Sequence, residues 1–466
     1  MVGLSAVLKS SNPRQYLIGL TFLLLAVAVA GVEAEADSEA VPYLFLSVLI
    51  EPGDDAADAL GVIEKKWHPG FVPMVLEVLR LSRDSQTVVS LVSLLQAKTG
   101  QPYGFDLDGW YQWLWNEDEV RHAEYARFKS LLYSLIDPRF GEYFAKDRPA
   151  KIRLDEIVWG GVVQDGIPPL RNPEMIKASD ADYLENDNIV FGIEVNGDAR
   201  AYPKRIMGWH EMFVDDVGGM PVMGVYCTLC GTMILYKTEQ RGVNYQLGTS
   251  GFLYRSNKLM YDRDTNSLWN TLWGMPVVGP LAGVDVQLER LSIVTTTWGA
   301  WQQRHPDTQV LSMNTGHRRD YSEGAAYREY FATDELMFTV PVRDTRLKNK
   351  DEVLGLVFAR YPDKPLVIAV RYLSKNPVYH DRVGDLRFVV LTDTSGASRV
   401  YESPDIKFES WDGNSLAVDT DGNVWELTES ALMAGDGRVL YRLPAHRAFW
   451  FGWYSAYSHT RLIAGG

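Results

Sequence analysis

Two cysteines, Cys227 and Cys230, have the clearest chemical potential in this sequence, and they are the only cysteines among its 466 residues. A Cys-x-x-Cys spacing lets both sulfur atoms face one point, either as a reducible disulfide or as two thiolate ligands of one metal ion. A disulfide between them would close a very small loop and would restrain the unfolded chain little. We therefore expect a metal-binding or thiol redox site rather than a bond present for stability alone.

Three interpretations of the pair remain open. A thioredoxin-like site would place the first thiolate at a helix N-terminus, whose dipole lowers the pKa of the thiol. The residues that follow Cys230 favour a strand instead, which indicates a knuckle within a hairpin. A structural zinc knuckle needs four ligands, so two histidines or an oligomer interface would have to complete it. The third interpretation is an open metal or redox centre joined by one or two histidines.

The candidate histidines are His210 and His317. His210 precedes the strand that leads into the knuckle and is followed by Glu211, whereas His317 lies in a polar loop after a predicted strand. Thiolates select soft ions, and imidazole adds Cu(II), zinc and iron to the choice, so the candidate cofactor is a copper or zinc ion. A single histidine is nevertheless more often an ordinary core or surface residue. The predicted metal ligands are Cys227, Cys230, His210 and His317.

Two charged clusters supply further candidates. Asp262 and Arg263 are adjacent, and Asp320 follows two arginines in the loop of His317. Arginine beside aspartate is most often a structural ion pair, but it can also clamp a carboxylate or phosphate group. The candidate catalytic residues are Cys227, Cys230, His210, Arg263, Asp262 and Asp320.

Composition limits the class of protein. Hydrophobic residues make up 46% of the chain and charged residues 23%, which is the balance of a globular protein. A chain of 466 residues is too long for one ordinary core and indicates two or three domains. The net charge of −14 would repel phosphate backbones, so nucleic-acid binding is not expected.

The N-terminal segment has the layout of a secretory signal. Lys9 and Arg14 precede an apolar run at 16–32, and Ala34 and Ala36 supply the small residues of a cleavage site. We predict residues 1–36 to be a signal peptide or, if uncleaved, an N-terminal anchor that makes the only membrane contact. The rest of the chain would then be extracytoplasmic, whether periplasmic, secreted or anchored.

Residues 37–150 are predicted to form a helical domain. Apolar residues recur at helical spacing at 72–81 and 88–97, and paired short helices of this kind resemble a degenerate HEAT-type repeat. A small orthogonal helical bundle fits the same pattern. In either form the domain would dock other exported proteins, since no catalytic constellation is found in its sequence.

Residues 151–466 are predicted to form a larger, mainly β domain. Short β-rich runs alternate with Gly, Pro, Asn and Asp clusters, which is typical of a sandwich or barrel-like domain. The fold class is therefore α+β. The predicted strands are 189–195, 221–226, 231–237, 243–248, 366–372, 387–392, 415–418 and 423–427.

A series of short motifs runs in order through this second domain. They are Asp165-Gly166-Ile167-Pro168-Pro169, Asn196-Gly197-Asp198-Ala199-Arg200, Trp209-His210-Glu211, Tyr226-Cys227-Thr228-Leu229-Cys230-Gly231, Met260-Tyr261-Asp262-Arg263, Arg319-Asp320-Tyr321 and Phe449-Trp450-Phe451-Gly452-Trp453. The series closely resembles the bacterial and archaeal domain of unknown function 3179 family over about two-thirds of the chain. One departure is Thr228, where the family usually has proline.

The resemblance implies a signature but no activity, since the family has none assigned. By this resemblance, the signature includes His210, Cys227, Cys230, Asp262, Arg263 and Asp320. The leading hypothesis is an exported protein with a Cys-x-x-Cys-centred metal-binding or thiol redox site. The alternative is a non-enzymatic extracytoplasmic binding or scaffold protein with a local structural disulfide.

Overall fold

The computed structural model describes residues 40–51, 53–145 and 147–465. These residues form two compact units. Unit 1 comprises the described residues of 1–110 and 117–146, and unit 2 comprises those of 111–116 and 147–466. The predicted signal or anchor at 1–36 lies outside the described residues. Among the helices that the structure describes, none combines the length and apolar character needed to cross a bilayer.

Unit 1 is helical, and its helices are bounded by residues that the sequence provides. Asp84 caps the helix at 85–99 by accepting a hydrogen bond from Thr87 N–H at 2.7 Å, and Gly100 ends it at a left-handed φ of 71°. The predicted helices at 72–81 and 88–97 are confirmed. The helices are α1 Val41–Ile50, α2 Asp54–Lys65, α3 Val72–Leu81, α4 Ser85–Thr99, α5 Leu107–Asn116, α6 Tyr125–Ser134 and α7 Phe140–Tyr143. The last six residues of α5 belong to unit 2.

Unit 2 contains all the strands that the structure describes, together with five short α-helices. Up to residue 311 its elements are β1 Ile157–Trp159, β2 Leu170–Arg171, β3 Met175–Lys177, β4 Ile189–Val195, β5 Asp198–Pro203, α8 Lys204–His210, β6 Met212–Val217, β7 Met220–Cys227, β8 Thr232–Lys237, β9 Glu239–Gln240, β10 Val243–Asn244, β11 Leu247–Tyr254, β12 Asn257–Asp262, β13 Leu268–Asn270, β14 Met275–Val278, β15 Glu289–Leu291, β16 Val294–Thr297, α9 Trp298–Arg304 and β17 Gln309–Leu311. Beyond residue 311 they are α10 Arg328–Phe331, β18 Glu352–Leu356, β19 Leu366–Ala369, α11 Val370–Leu373, β20 Val378–Val383, β21 Leu386–Thr392, β22 Ser398–Glu402, β23 Phe408–Trp411, β24 Leu416–Asp419, β25 Val424–Leu427, β26 Ala431–Ala434, β27 Val439–Leu443, β28 His446–Phe449, α12 Trp450–Ala456 and β29 Arg461–Ile463.

The strands of unit 2 assemble into several sheets. Their orders are β1-β11-β12-β13-β14, β15-β8-β7-β6-β2, β16-β4-β5-β17-β3, β28-β18-β19-β29, β20-β21-β22-β27-β26-β25-β24-β23 and the small pair β10-β9. A helical N-terminal region followed by a larger strand-rich region confirms the predicted α+β class.

Most predicted strands are confirmed, among them 189–195 as β4 and 387–392 within β21. The prediction at 243–248 is wrong, because β10 ends and β11 begins within it and the two strands lie in different sheets. The prediction at 366–372 is wrong in its second half, where β19 gives way to the helical turn α11. A short apolar run alone does not distinguish a strand from a turn of helix.

Unit 2 contains one strand topology twice. In the first repeat (residues 189–311), β16, β4, β5 and β17 are neighbours in this order, joined by two antiparallel contacts and then a parallel one. In the second repeat (residues 352–463), β28, β18, β19 and β29 have the same order and directions. A helix and an antiparallel meander follow in each repeat, β6–β7–β8 in the first and β20–β21–β22 in the second. The unit is thus an internal duplication.

Each repeat packs a tryptophan against a glycine of its first strand. A Cβ atom added at Gly192 would lie 2.3 Å from Trp301, and one added at Gly355 would lie 2.0 Å from Trp453. Each indole N–H donates to a threonine hydroxyl seven residues later, at 2.9 Å in the first repeat and 3.0 Å in the second. The same close contact therefore fixes the helix onto the sheet in both repeats.

The two repeats share one hydrophobic core. Met212 and Ile234 of the first repeat are buried in the same cluster as Val353 and Trp450 of the second. Each repeat also has a cluster largely of its own. Because the shared cluster joins the two repeats, we expect them to unfold together.

Substituting Gly355→Ala tests the tryptophan contact. We expect a loss of about 1–3 kcal/mol in the free energy of unfolding, because the added methyl group overlaps the ring of Trp453. Gly192→Ala should behave alike. The control is Gly283→Ala, where an added Cβ meets no atom within 4 Å, and its effect should stay within about 0.5 kcal/mol. Urea unfolding followed by tryptophan fluorescence measures all three, and equal stabilities would contradict the repeat packing described above.

Candidate functional site

The cysteine pair lies at the tip of the hairpin formed by β7 and β8. Cys227 ends β7 and pairs with Thr232, the first residue of β8. A disulfide joins Cys227 to Cys230, with their Cα atoms 5.3 Å apart. The predicted knuckle within a hairpin is confirmed. Because a strand follows Cys230, the helix dipole of a thioredoxin-like site does not act on this pair.

Both cysteines are buried, with exposed fractions of 3% for Cys227 and 0% for Cys230. The Trp-rich segment of the second repeat (residues 449–454) encloses one side of the cysteine pair. Phe449 N–H donates to Cys230 O at 2.7 Å, and a Cβ added at Gly452 would lie 2.9 Å from the Cβ of Cys230. The second repeat thus forms part of the wall around the disulfide of the first.

Two buried polar atoms beside the disulfide have no hydrogen-bond partner among the described residues. They are Asn257 Oδ1 and Thr228 Oγ1. The Asn257 amide nitrogen donates to Gly452 O at 3.2 Å, so the side chain is held in place while its oxygen is unpartnered. A further acceptor, Ser256 O, lies 3.5 Å from Cys230 Sγ. A buried unpartnered polar group costs about 1–3 kcal/mol, so two of them beside one disulfide indicate a purpose other than stability.

An irregular segment between the repeats covers the cysteine pair. This connecting segment (residues 312–351) is described throughout and contains one short helix, α10, and no strand. Tyr330 O–H donates to Leu229 O at 2.8 Å, and both residues pack in one cluster with the two cysteines. Lys350 Nζ lies 3.4 Å from the centroid of the Tyr330 ring and holds it from the outer side. The connecting segment therefore forms a further wall around the cysteine pair.

A buried ion pair accompanies the hairpin. Lys258 Nζ lies 3.3 Å from a carboxylate oxygen of Glu211, and the exposed fractions of the two side chains are 6% and 8%. Lys258 also donates to the backbone oxygen of Glu211 at 3.2 Å. Burial lowers the pKa of Lys258, and the carboxylate of Glu211 opposes this shift. Sequence reasoning missed Lys258, because its partner lies 47 residues away along the chain.

His210 is buried in a directed chain of hydrogen bonds. Its Nδ1 lies 2.9 Å from Pro168 O, which can only accept, so Nδ1 carries the proton. Nε2 therefore accepts from the Tyr321 hydroxyl at 2.6 Å, and that hydroxyl accepts from Thr315 at 2.6 Å. Burial lowers the pKa of His210 to about 4. His210 is thus held neutral, with both ring nitrogens engaged.

The four predicted metal ligands are not assembled as one ligand set. Cys227 and Cys230 are bonded to each other, and both ring nitrogens of His210 are in hydrogen bonds. His317 is exposed, with its ring centroid 5.2 Å from that of His210. Within the described ranges, no group of three or more His, Cys, Asp or Glu side chains is placed to hold a metal ion. The structure therefore brings these residues together as two pairs.

Asp262 is engaged within its own turn. Its carboxylate accepts hydrogen bonds from backbone N–H groups of the turn at 2.7 and 3.0 Å and from the indole of Trp269 at 3.4 Å. Asp419 occupies the same place in the second repeat, where it accepts from turn N–H groups and from the indole of Trp425. Because both repeats use an aspartate in this way, its role is to hold the turn.

Arg263 and Asp320 are exposed, whereas the cysteines are buried. Arg263 pairs loosely with Asp165, at 3.7 Å, rather than with its neighbour Asp262. Asp320 accepts a hydrogen bond from Ser322 N–H at 2.9 Å, which accounts for it as a turn residue.

The cysteine pair has no counterpart in the second repeat. The hairpins β6–β7 and β20–β21 align residue for residue, with six pairs each. In this alignment Asp393 takes the place of Cys227, and it forms an ion pair with Arg399 at 2.9 Å. The equivalent hairpin β21–β22 of the second repeat thus forms without cysteines, with a tip that is one residue shorter than that of β7–β8.

Asp262→Asn should behave as a stability variant. We expect a loss of about 1–3 kcal/mol in the free energy of unfolding, since turn N–H groups lose a charged acceptor. Asp419→Asn should cost a similar amount. Alkylation of the cysteines after reduction should proceed as in the wild type for both folded variants. Altered cysteine reactivity in Asp262→Asn at unchanged stability would show that Asp262 acts on the site.

The buried His210 should make stability fall with acid. An unfolded histidine binds a proton near pH 6.5 and the buried one near pH 4, so protons favour the unfolded state as the pH falls between these values. The loss between pH 7 and pH 4 should be about 3 kcal/mol greater in the wild type than in His210→Gln. Urea unfolding across this range measures it, with His459→Gln, at an exposed histidine, as the control. Parallel curves for wild type and His210→Gln would contradict the hydrogen-bond chain.

Comparison with known proteins gives one family. No curated protein and no solved structure gives a significant match to the chain. Residues 164–460 match the family described as Protein of unknown function (DUF3179), and the matched region includes both cysteines, His210 and Lys258. It comprises more than half of the chain. The chain therefore belongs to the DUF3179 family.

Proposed function

We propose that this protein is an exported thiol–disulfide protein in which Cys227 and Cys230 cycle between disulfide and dithiol. The observation that carries the proposal is the pair of acceptors around Cys230. Ser256 O lies 3.5 Å from its Sγ, and a Cβ added at Gly452 would lie 2.9 Å from Cys230 Cβ and 3.4 Å from the unpartnered Asn257 Oδ1. A disulfide has no hydrogen to donate, whereas two thiols have two S–H donors. Reduction therefore supplies S–H donors near Asn257 Oδ1, which has no partner in the oxidised protein. These hydrogen bonds would stabilise the dithiol relative to the disulfide.

The covalent bond itself adds little to the stability of the fold. A loop this short contributes about 2 kcal/mol in the chain-entropy model, against about 3 kcal/mol for a loop of about 15 residues. In the second repeat, the equivalent hairpin β21–β22 has Asp393 at the place of Cys227 and a tip one residue shorter. A hairpin at this place of the fold thus forms without a disulfide, which supports a hairpin that persists while the bond opens.

The reaction that we propose is exchange with a partner dithiol. A partner thiolate attacks one sulfur, the bond between Cys227 and Cys230 breaks, and a mixed disulfide forms while the other cysteine leaves as a thiolate and takes up a proton. The partner's second thiolate then attacks the mixed disulfide and releases the remaining cysteine, which also takes up a proton. The partner is oxidised by two electrons, and the cysteine pair is reduced by two.

Export is part of the proposal. It is supported by the basic residues, the apolar run and the small residues of 1–36. Disulfides form and persist in compartments outside the cytoplasm, which agrees with a bonded cysteine pair.

A second candidate is a binding or scaffold protein with a permanent disulfide. The observation that favours it is burial, since Cys230 has an exposed fraction of 0% and Tyr330 covers the turn. In that case the connecting segment would stay closed, and both cysteines could be replaced without effect on binding.

A redox titration separates these candidates. In buffers of defined potential, the proposal predicts a reversible two-electron transition with a midpoint above about −300 mV, because exchange centres are less reducing than structural disulfides. Mass spectrometry after alkylation of free thiols reads out the reduced fraction, and Cys227→Ser/Cys230→Ser is the control without signal. A midpoint well below that value would favour the scaffold protein. One equivalent of copper or zinc bound by the reduced wild type and lost in the control would favour metal binding instead.

A further inference from the structure

The ion pair of Lys258 and Glu211 is linked to the cysteine pair through neighbouring residues, since Leu253 is opposite Lys258 in the sheet and packs in one cluster with both cysteines. Tyr226 N–H donates to Glu211 O at 2.8 Å, so Glu211 is opposite the residue that directly precedes the first cysteine. Lys258 comes two residues after Ser256, whose backbone oxygen lies 3.5 Å from the sulfur of the second cysteine. Each member of the ion pair is thus carried by a stretch of backbone that contacts the hairpin tip.

The second repeat replaces this ion pair together with the cysteines. Thr392 N–H donates to Pro377 O at 2.9 Å, so Pro377 takes the place of Glu211. In the register set by the two turn aspartates, Ser415 takes the place of Lys258. The ion pair therefore occurs in the repeat that holds the cysteines and is absent from the equivalent positions of the other.

Glu211 has a left-handed backbone conformation, which is unfavourable for glutamate. It ends α8 with φ 56° and ψ −2°, a left-handed position where glycine or asparagine is usual. A non-glycine residue there costs about 1 kcal/mol or more, and such strain concentrates at functional sites. Here the strained residue supplies the carboxylate that pairs with Lys258.

We propose that Lys258, positioned by Glu211, is the proton-transfer group of the cysteine pair. The proposal rests on the thiol–disulfide function above. When a partner thiolate opens the disulfide, the leaving cysteine becomes a thiolate in a buried environment, where an unpaired negative charge is costly. The ammonium group of Lys258 stabilises this thiolate and gives it a proton.

The neutral amine that results serves the second half of the exchange. It takes the proton from the partner's second thiol, and the resulting thiolate attacks the mixed disulfide. The remaining cysteine leaves as a thiolate and takes this proton from the ammonium group of Lys258. Water then returns a proton to the amine. Reoxidation of the cysteine pair by a partner disulfide follows the same steps in reverse.

Other titratable groups surround the ion pair. They are Tyr226, Tyr327, Tyr330, Asp165 and Glu352. Burial raises the pKa values of all three tyrosines, so their phenols stay protonated while Lys258 titrates.

The test is the double variant Lys258→Met/Glu211→Gln. Removing one charge alone would leave the other buried and unpaired, whereas neutralising both is compatible with folding. Reduction by dithiothreitol, used as the probe dithiol, should be slower by about tenfold or more at pH 7. The apparent thiol pKa, from the pH dependence of iodoacetamide alkylation, should rise by about one unit, which is a tenfold change in ionisation. The matched control is Lys375→Met, at an exposed lysine of the second repeat, and it should leave both quantities unchanged.

The outcomes separate this inference from the proposed function. A folded double variant with wild-type rate and thiol pKa overturns the role of Lys258 and leaves the thiol–disulfide cycle standing. A wild-type disulfide that dithiothreitol does not open overturns the cycle itself.

Carbon-13 NMR of the lysine ε-carbons in the wild type provides a readout that does not depend on folding of the variant. The Lys258 pKa should differ by about one unit between oxidised and reduced protein, and an identical pKa would overturn the inference.

Discussion

The site depends on the contact between the tip of the β7–β8 hairpin and the Trp-rich segment of the other repeat. The hydrogen bond from Phe449 N–H to Cys230 O, and the close approach of Gly452 to Cys230, bury the sulfurs and fix the turn. Gly452 O also accepts a hydrogen bond from the Asn257 amide nitrogen. The same segment therefore positions Asn257 Oδ1, which has no hydrogen-bond partner among the described residues. The disulfide is thereby enclosed, with exposed fractions of 3% for Cys227 and 0% for Cys230.

The internal duplication separates what serves the fold from what serves chemistry. Tryptophan on glycine and an aspartate in the turn occur in both repeats, and these contacts hold the sheets and loops together. The cysteine pair and the Lys258–Glu211 ion pair have no equivalent in the second repeat, although β20 and β21 pair in the same register as β6 and β7. We therefore place the chemistry in the first repeat and regard the second as a scaffold that supplies one wall of the site.

The sequence predicted the local features well and the distant ones poorly. The residues after Cys230 indicated a strand, and the hairpin knuckle follows from them. The ion pair could not be predicted, because Lys258 of β12 meets Glu211, at the end of α8, only through tertiary packing. His210 was predicted to bind a metal ion together with the cysteines. The prediction did not account for Tyr321, whose hydroxyl donates a hydrogen bond to the imidazole. The duplication was visible in principle, since each repeat carries a Trp-x-x-Trp helix with a threonine seven residues after its second tryptophan.

A high-resolution crystal structure of the reduced protein would show whether the fold holds the dithiol. We expect an unchanged hairpin with two separate sulfurs, and a thiol of Cys230 or Cys227 within hydrogen-bonding distance of Asn257 Oδ1 or Ser256 O. Such a structure would show that the fold is built to hold the dithiol as well as the disulfide. A hairpin tip that unfolds or rearranges on reduction, with Asn257 Oδ1 still unpartnered, would contradict the account and identify the bond as structural.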